Sequence, residues 1–240
     1  MKKLFFLLLA ALPAVLLAQD KVINDPDAQT RTIGAFHAIK VSTGIQLILK
    51  QGGADAVAVS ASDKEARDRI KTEVVNGVLK IYYDYKENWW NGFDKVNRHL
   101  KAYVSFKNID KLTGSSGSHI QVDGSITAGG LGIDLSSGAH FNGDIRAGGL
   151  TVDQSSGSHM TVSGQVQTLT VQTSSGAHFL GFDIAAGKCN AGASSGGKIE
   201  VTVNNELAAE ASSGGHVDYK GAGTIRKLST SSGGHVRKNG

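Results

Sequence analysis

"SSGAHFNG", residues 136–143, is one copy of a pattern that recurs to the end of the chain. Its copies begin at seven serines: Ser115, Ser136, Ser155, Ser174, Ser194, Ser212 and Ser231. The steps between these serines are 21, 19, 19, 20, 18 and 19 residues. A catalytic serine and histidine are needed once, whereas a repeat architecture contains the same segment many times at near-constant spacing. The pattern therefore predicts a structural repeat, and a function for these residues needs evidence other than the repeat itself.

Alternating apolar residues on both sides of each serine pair predict strands with one buried face. Leu131, Ile133 and Leu135 alternate before Ser136, and Phe141 resumes the alternation after it. A third short segment completes each repeat, and we expect its apolar residues at matching places: Ile126, Ile145, Val166, Ile184, Val203 and Ile225. Three short strands and three corners in about 19 residues predict one coil of an all-β parallel β-helix, because no helical crossover fits in so few residues.

Stacking of coils about 4.8 Å apart brings equivalent residues into columns. We expect one buried column to comprise Leu131, Leu150, Leu169, Cys189 and Leu207. Cys189 is the single cysteine of the chain, so it is expected to be a buried, unreactive thiol, and no intrachain disulfide is possible. At each corner the glycine supplies a positive φ, while serine hydroxyls bond to nearby backbone groups.

The histidine of each repeat precedes an inward apolar residue, so strand alternation turns it outward. The resulting histidine column comprises His119, His140, His159, His178, His216 and His235, with Lys198 in the fifth copy. Because protonated neighbours repel, we expect the pKa values of these imidazoles to lie below about 6.5. A contact strip for a protein or glycan is the favoured interpretation, with binding of a transition metal and simple structural stacking as alternatives.

The first 110 residues differ from the repeats. Residues 1–18, with Lys2 and Lys3 before an apolar run, predict a signal peptide and export to the periplasm, the cell surface or beyond. No later apolar run predicts a membrane span. We expect a flexible segment at 19–30 and one β-helix domain over 31–240, with irregular coils and a cap over 31–109 and regular coils over 110–240. Ser62 and Glu65 predict the capping box of a short helix.

The loop "YKENWWNGFDKVNRH", residues 85–99, carries Trp89 and Trp90 among polar residues. These tryptophans either fold back onto the core, which is the favoured interpretation, or offer an aromatic contact to a partner such as a sugar. The formal charge of +4 includes Lys2 and Lys3, so +2 remains after the signal peptide. Basic residues are scattered and nearly balanced by acids, which argues against nucleic-acid binding. No cofactor is expected.

Several phrases of the chain resemble the family named "putative autotransporter adhesin, head GIN domain". They are "FHAIKVSTGIQLILKQGG" from Phe36, "IKTEVVNGVLKIYY" from Ile70, the Trp89–Trp90 loop and the repeats that begin with "LTGSSGSHIQVDG". The resemblance covers nearly the whole exported chain and implies a single-stranded right-handed parallel β-helix. It supplies no catalytic motif, and the adhesin label of that family is itself an inference from architecture.

Two classes of function are consistent with this pattern. The first is an exported, non-enzymatic β-helix that presents a binding surface to an unidentified protein or glycan. The second is an enzyme acting on polysaccharide, because Asp134 and Asp153 occupy equivalent outward places on neighbouring coils. Their column continues with Gln172, Gly192 and Glu210 and contains no arginine or lysine, so the first class is favoured. No catalytic or metal-binding residue is assigned, and the ligand and oligomeric state are left open.

Overall fold

The chain forms a stack of parallel coils. A computed structural model describes residues 25–85 and 98–240. Its strands are β1 (Gln29–Arg31), β2 (Ala38–Val41), β3 (Gln46–Gln51), β4 (Ala56–Ser60), β5 (Ile70–Val75), β6 (Val78–Tyr83), β7 (Lys101–Phe106), β8 (Lys111–Gly114), β9 (His119–Leu135), β10 (His140–Gln154), β11 (His159–Thr173), β12 (His178–Ala193), β13 (Lys198–Ala211), β14 (His216–Lys220), β15 (Thr224–Thr230) and β16 (His235–Lys238). Helix α1 spans Lys64–Asp68. The predicted signal peptide and both tryptophans of the 85–99 loop lie outside the described residues.

The regular part is a parallel β-solenoid, and the solenoid has about seven turns. Strands β9 to β13 pair in sequence order, each in parallel with the next. The register confirms the predicted core column, whose members are at most 3% exposed: Leu131, Leu150, Leu169, Cys189 and Leu207. Burial raises the pKa of the Cys189 thiol to about 12, so this cysteine is held as a neutral thiol.

Each serine corner is a tight turn in which two successive residues have positive φ. At Ser137 and Gly138, φ is 50° and 71°, and the Ala139 N–H donates to the Ser136 carbonyl at 3.1 Å. Such a turn is of the primed type, and a left-handed serine costs about 1–3 kcal/mol that its surroundings must offset. The Gly138 N–H donates to the Ser156 carbonyl of the next coil at 3.0 Å, so hydrogen bonding between coils continues through the corner. The sequence predicted positive φ for the glycine only.

The expectation of three short strands per coil is wrong. Each of β9 to β13 is one continuous bent strand of 14 to 17 residues, interrupted only by bulges. These bulges also shift the third segment. Ile126, Ile145 and Ile184 share one column through Gly164, whereas Val166 and Val203 belong to the next column. Ile225 pairs with Leu207 and so extends the leucine column instead.

The first end of the solenoid combines parallel strands that continue the coils with antiparallel pairs at its outer edge. β2 and β3 stack on β8 and β9, and β6 and β7 lie outside them, so spatial order differs from chain order. Antiparallel strands β1, β4 and β5 cover the outer edge. Residues 31–109 thus include antiparallel pairs, which protect an edge that parallel coils leave open.

Two local predictions in this end are wrong. Residues 25–30 are not a free segment, because Gln29 and Thr30 belong to β1 and Asp25 accepts a hydrogen bond from the Tyr103 hydroxyl at 2.8 Å. The N-cap of α1 is Asp63 instead of Ser62, and Asp63 Oδ1 accepts from the Ala66 N–H at 2.8 Å. A carboxylate at this position both satisfies a free N–H group and interacts favourably with the helix dipole.

Candidate functional site

The register of the coils aligns the repeated histidines in one row on the outside of the solenoid. His119, His140, His159 and His178 pair in consecutive strands, followed by Lys198 and then His216 and His235. All of these side chains are exposed or half-buried. The residue after each histidine points into the core, as at Ile120 and Phe141, which fixes the outward direction of the column.

The imidazole rings of the first four histidines form a continuous stack. Ring centroids of successive members lie 4.6, 5.3 and 4.7 Å apart, and the ring planes differ by 5°, 13° and 21°. His216 and His235 form a second stacked pair at 5.3 Å. Nδ1 of His119 lies 3.1 Å from the Gly117 carbonyl oxygen, and Nδ1 of His159 lies 3.2 Å from that of Gly157. Since a carbonyl only accepts, Nδ1 is the donor in both neutral rings and Nε2 carries the lone pair.

Protonation of His140 and His178 is opposed mainly by burial. Burial lowers the pKa of His140 below its ordinary value of 6.5, and the charges of His119 and His159 lower it further. Burial also lowers the pKa of His178, with His159 and Lys198 acting in the same direction and Glu200 against it. The predicted direction is confirmed for these two residues, but repulsion between neighbours is the smaller cause. Packing against adjacent rings removes water from each imidazole, which disfavours the charged form.

The stacked geometry does not suit chelation of a metal ion. Two nitrogen atoms bound to one metal lie at most about 4.2 Å apart, twice the usual bond length. In nearly parallel rings the matching nitrogens are separated by about the centroid distance, which here is 4.6 Å or more. Over residues 25–85 and 98–240, no group of three His, Cys, Asp or Glu side chains is placed to hold a metal ion.

A second row of polar side chains runs beside the histidine column. Gln121, Asn142 and Thr161 are aligned and exposed, each two residues after a histidine of the stack. Leu180 occupies the same row in the fourth coil and is half-buried. The amides and the hydroxyl provide donors and acceptors, so the two rows together form a flat face that can hydrogen-bond to a neutral partner.

Sequence reasoning missed the beginning of this face. Thr43 and Gly44 form an eighth corner with φ of 61° and 71°, and the Gly44 N–H donates to the Ser116 carbonyl at 2.9 Å. Gln46 follows this corner and pairs with His119, so it extends the column by one coil, and Lys101 pairs with Gln46 beyond it. The segment "STGIQ", residues 42–46, carries the serine, glycine and apolar residue of the repeat and was the available signal.

The predicted carboxylate pair lies on another part of the surface. Asp134 and Asp153 are aligned on neighbouring coils and line a shallow groove with Ser136, Ser155 and Gln172. Asp134 Oδ2 lies 2.6 Å from Nζ of Lys111, a residue of β8. The column of Asp134 and Asp153 contains no basic residue, but Lys111 in a neighbouring column forms an ion pair with Asp134. Asp134 is thus held in an ion pair, which does not favour its sharing a proton with Asp153.

Residues 35–223 match the family described as "Putative auto-transporter adhesin, head GIN domain". The chain belongs to this family. The match covers the capped end and the coils of β9 to β13, so the head GIN domain accounts for most of the solenoid. A search of curated proteins finds no match. The described residues contain no helix with the length and apolar character that crossing a membrane requires.

Solved structures with the same fold include proteins from Bacteroides and Parabacteroides. A putative adhesin from Bacteroides fragilis superposes with a TM-score of 0.77 at 15% identity, over 88% of this chain and 96% of that one. A putative adhesin from Parabacteroides merdae gives 0.67 at 14%, over 89% and 95%. A protein from Parabacteroides distasonis, titled a putative lipid binding protein, gives 0.64 at 20%, over 90% and 98%. At these identities the likeness establishes the fold of the head GIN domain and nothing more.

Proposed function

We propose that this protein is an exported, non-enzymatic solenoid that attaches to a protein or glycan surface through the face carrying the histidine column. The observation that supports the proposal is the continuous stack of His119, His140, His159 and His178 on the outside of four successive coils. A core column is explained by burial, whereas an exposed column of one residue type is not needed to fill space. Membership of a family described as adhesins agrees with this role.

The shape of the face also supports attachment. Parallel strands held in register give a flat and rigid surface, so little conformational entropy is lost when a partner binds. The imidazoles offer polarisable ring edges, and the neighbouring row of Gln121, Asn142 and Thr161 offers hydrogen bonds. Such a mixture of aromatic and neutral polar groups is typical of surfaces that bind proteins or sugars.

The carboxylate groove is a weaker basis for function. Asp134 forms an ion pair with Lys111, and the remaining groove residues are mainly serines and amides of the solenoid corners. A polysaccharide-active enzyme requires one carboxyl group to donate a proton and another to act as base or nucleophile. The proposal therefore rests on the face with the histidine column, and substitutions at the carboxylate groove serve as a control in the experiment.

The test compares two triple variants with the unchanged protein. The column variant carries His140→Thr, His159→Thr and His178→Thr, since threonine keeps strand propensity. The control variant carries Asp153→Thr, Gln172→Thr and Asn190→Thr, which replace one exposed residue on each of the same three strands, away from the column. Binding is measured at pH 7.5 and at pH 5.0 on a printed array of neutral and acidic glycans and on wells coated with mucin or collagen.

We expect the column variant to lose binding that the control variant retains, with both melting within a few degrees of the unchanged protein. Full binding by the column variant would contradict the proposal. Lowered stability of the column variant with full binding would make the stack a structural element only. Loss of binding in the control variant alone would move the site to the carboxylate groove.

A further inference from the structure

The charged groups around the histidine stack are almost fully balanced, and the histidines themselves are the main exception. The acidic side chains that lie nearest along the same strands are each paired with a base: Asp123 with Lys50, Asp144 with Arg146, Glu200 with Lys198 and Asp218 with Arg237. Asp183 lies five residues beyond His178, in the row of Ser163, outside the column. Lys101 stands two coils before His119 and interacts with Asp25.

This balance means that the face carries little net charge while the imidazoles are neutral. Protonation would then add a line of up to four positive charges, spaced 4.6 to 5.3 Å apart. Glu200 acts on the last of them, His178, but it is already paired with Lys198. Like charges at this distance repel, so protonation of neighbouring histidines is unfavourable in the free protein. It becomes favourable when anions lie along the row. The serine corners on one side of the row and Gln121, Asn142 and Thr161 on the other are uncharged.

We propose that the stack of His119, His140, His159 and His178 binds a linear acidic polysaccharide at acidic pH and releases it at neutral pH. The inference rests on the proposed function, because it uses the same face, and it names the class of partner. A single straight row of cations matches a polymer whose anionic groups recur along one line. The adjoining row of amides and a hydroxyl provides hydrogen-bond partners for sugar hydroxyls, which favours a polysaccharide over a nucleic acid.

The pH dependence of binding follows from the linkage between proton uptake by the histidines and binding of the anionic polymer. Burial lowers the pKa of His140 and of His178, so both rings are neutral at pH 7.5 in the free protein. A bound anion favours the protonated form, so binding takes up protons and becomes tighter as the pH falls. If at least one proton is taken up per polymer segment between pH 6.5 and 5.5, the affinity rises by about tenfold over that interval.

The experiment measures binding of fluorescent dextran sulfate by anisotropy at pH 7.5 and pH 5.0, with ionic strength held constant because salt screens exposed charges. Uncharged dextran and a single-stranded oligonucleotide serve as comparison probes. The column variant for this test is His140→Gln, His159→Gln and His178→Gln, which removes the titrating groups and keeps polar side chains. The matched control is His37→Gln, since His37 is an exposed histidine beside Asp110 and away from the stack.

We expect dextran sulfate to bind at least about tenfold more tightly at pH 5.0 than at pH 7.5, and the column variant to lose this difference. The His37→Gln protein should retain it, and uncharged dextran should not bind. No gain in affinity at acidic pH, or an equal gain in the column variant, would overturn the inference. Equal binding of the oligonucleotide would overturn the assignment to polysaccharide. Column-dependent attachment to glycan or mucin at pH 7.5 without acid-dependent binding would overturn this inference and leave the proposed function standing.

Discussion

Gly164 is a position at which one added methyl group should strongly disturb the solenoid. It follows the register shift between Thr161 and Ser163 of β11 and has a φ of 115°, and a Cβ atom there would stand 2.2 Å from the Ile145 carbonyl oxygen of the preceding coil. That oxygen belongs to backbone paired with the coils on both sides, so it cannot move aside without opening the ladder. Left-handed strain of about 1–3 kcal/mol and overpacking of about 1–3 kcal/mol together predict a loss of about 2–6 kcal/mol for Gly164→Ala.

Gly157→Ala is the matched control. Gly157 lies in a serine corner of the same coil with φ of 68°, and a Cβ atom there would have no neighbour within 4 Å. Only the left-handed backbone then opposes alanine, at about 1–2 kcal/mol. Thermal unfolding followed by circular dichroism should therefore show a Tm lowered by about 2–8 °C for Gly157→Ala and by about 4–24 °C for Gly164→Ala. Equal shifts in the two variants would refute the argument that contact between coils, and not backbone conformation alone, requires glycine at 164.

Four further predictions concern two core residues, the histidines and the helix. Leu169→Ala should destabilise the protein by about 2–5 kcal/mol in urea unfolding, because this side chain is fully buried between Leu150 and Cys189; a loss below about 1 kcal/mol would contradict the assigned column. The Cys189 thiol should react with a bulky maleimide only after unfolding, and fast labelling of the native protein would show that it is accessible. For His140 and His178 the folded pKa is lowered, so the unfolded chain binds more protons below about pH 6.5. Stability is therefore fully present above that pH and falls as the pH drops through and below it, and a Tm that is constant from pH 7.5 to 5.0 would exclude this. Asp63→Ala should cost about 0.5–2 kcal/mol, whereas Ser62→Ala should cost less, and the reverse order would restore the predicted capping box.

The repeat made most of the solenoid predictable. A glycine after every serine pair, together with period-two alternation, determines both the corner and the inward face, so the leucine column and the outward histidines follow directly. The same argument places Cys189 in the core, although nothing in its immediate neighbourhood distinguishes it. These features depend on local geometry that is repeated identically, so one correctly interpreted copy determines the others.

The capped end and the bulges were not predictable in the same way. The corner at Thr43 and Gly44 occurs once, 73 residues before its structural neighbour at Ser116 and Gly117, and no local signal gives the length of the insertion between them. The antiparallel strands that cover this edge depend on which backbone groups the coils leave unpaired, a property of the assembled fold. Bulges absorb the differences in repeat length, and whether Ile225 falls in the third segment or in the leucine column depends on where they occur.

For the histidine stack, the sequence predicted the alignment of the residues but not their detailed geometry. Its alignment follows from the repeat, but the stacking distances, the Nδ1 hydrogen bonds and the balance of charges around it depend on side-chain placement. Alternation predicts repulsion between neighbouring rings but not the burial that lowers the pKa of His140, because it gives no account of how neighbouring rings cover each other.

The most direct test of the central claim is to find which histidines a bound partner covers. The protein is treated with a histidine-acylating reagent, free and attached to mucin or glycan, at whichever of pH 7.5 and pH 5.0 it attaches, and the modification of each histidine is quantified by mass spectrometry. The account predicts that His119, His140, His159 and His178 become protected together on attachment, while exposed His37 is modified equally in both states. Unchanged modification of the stack in the attached protein, or equal protection of His37, would contradict it.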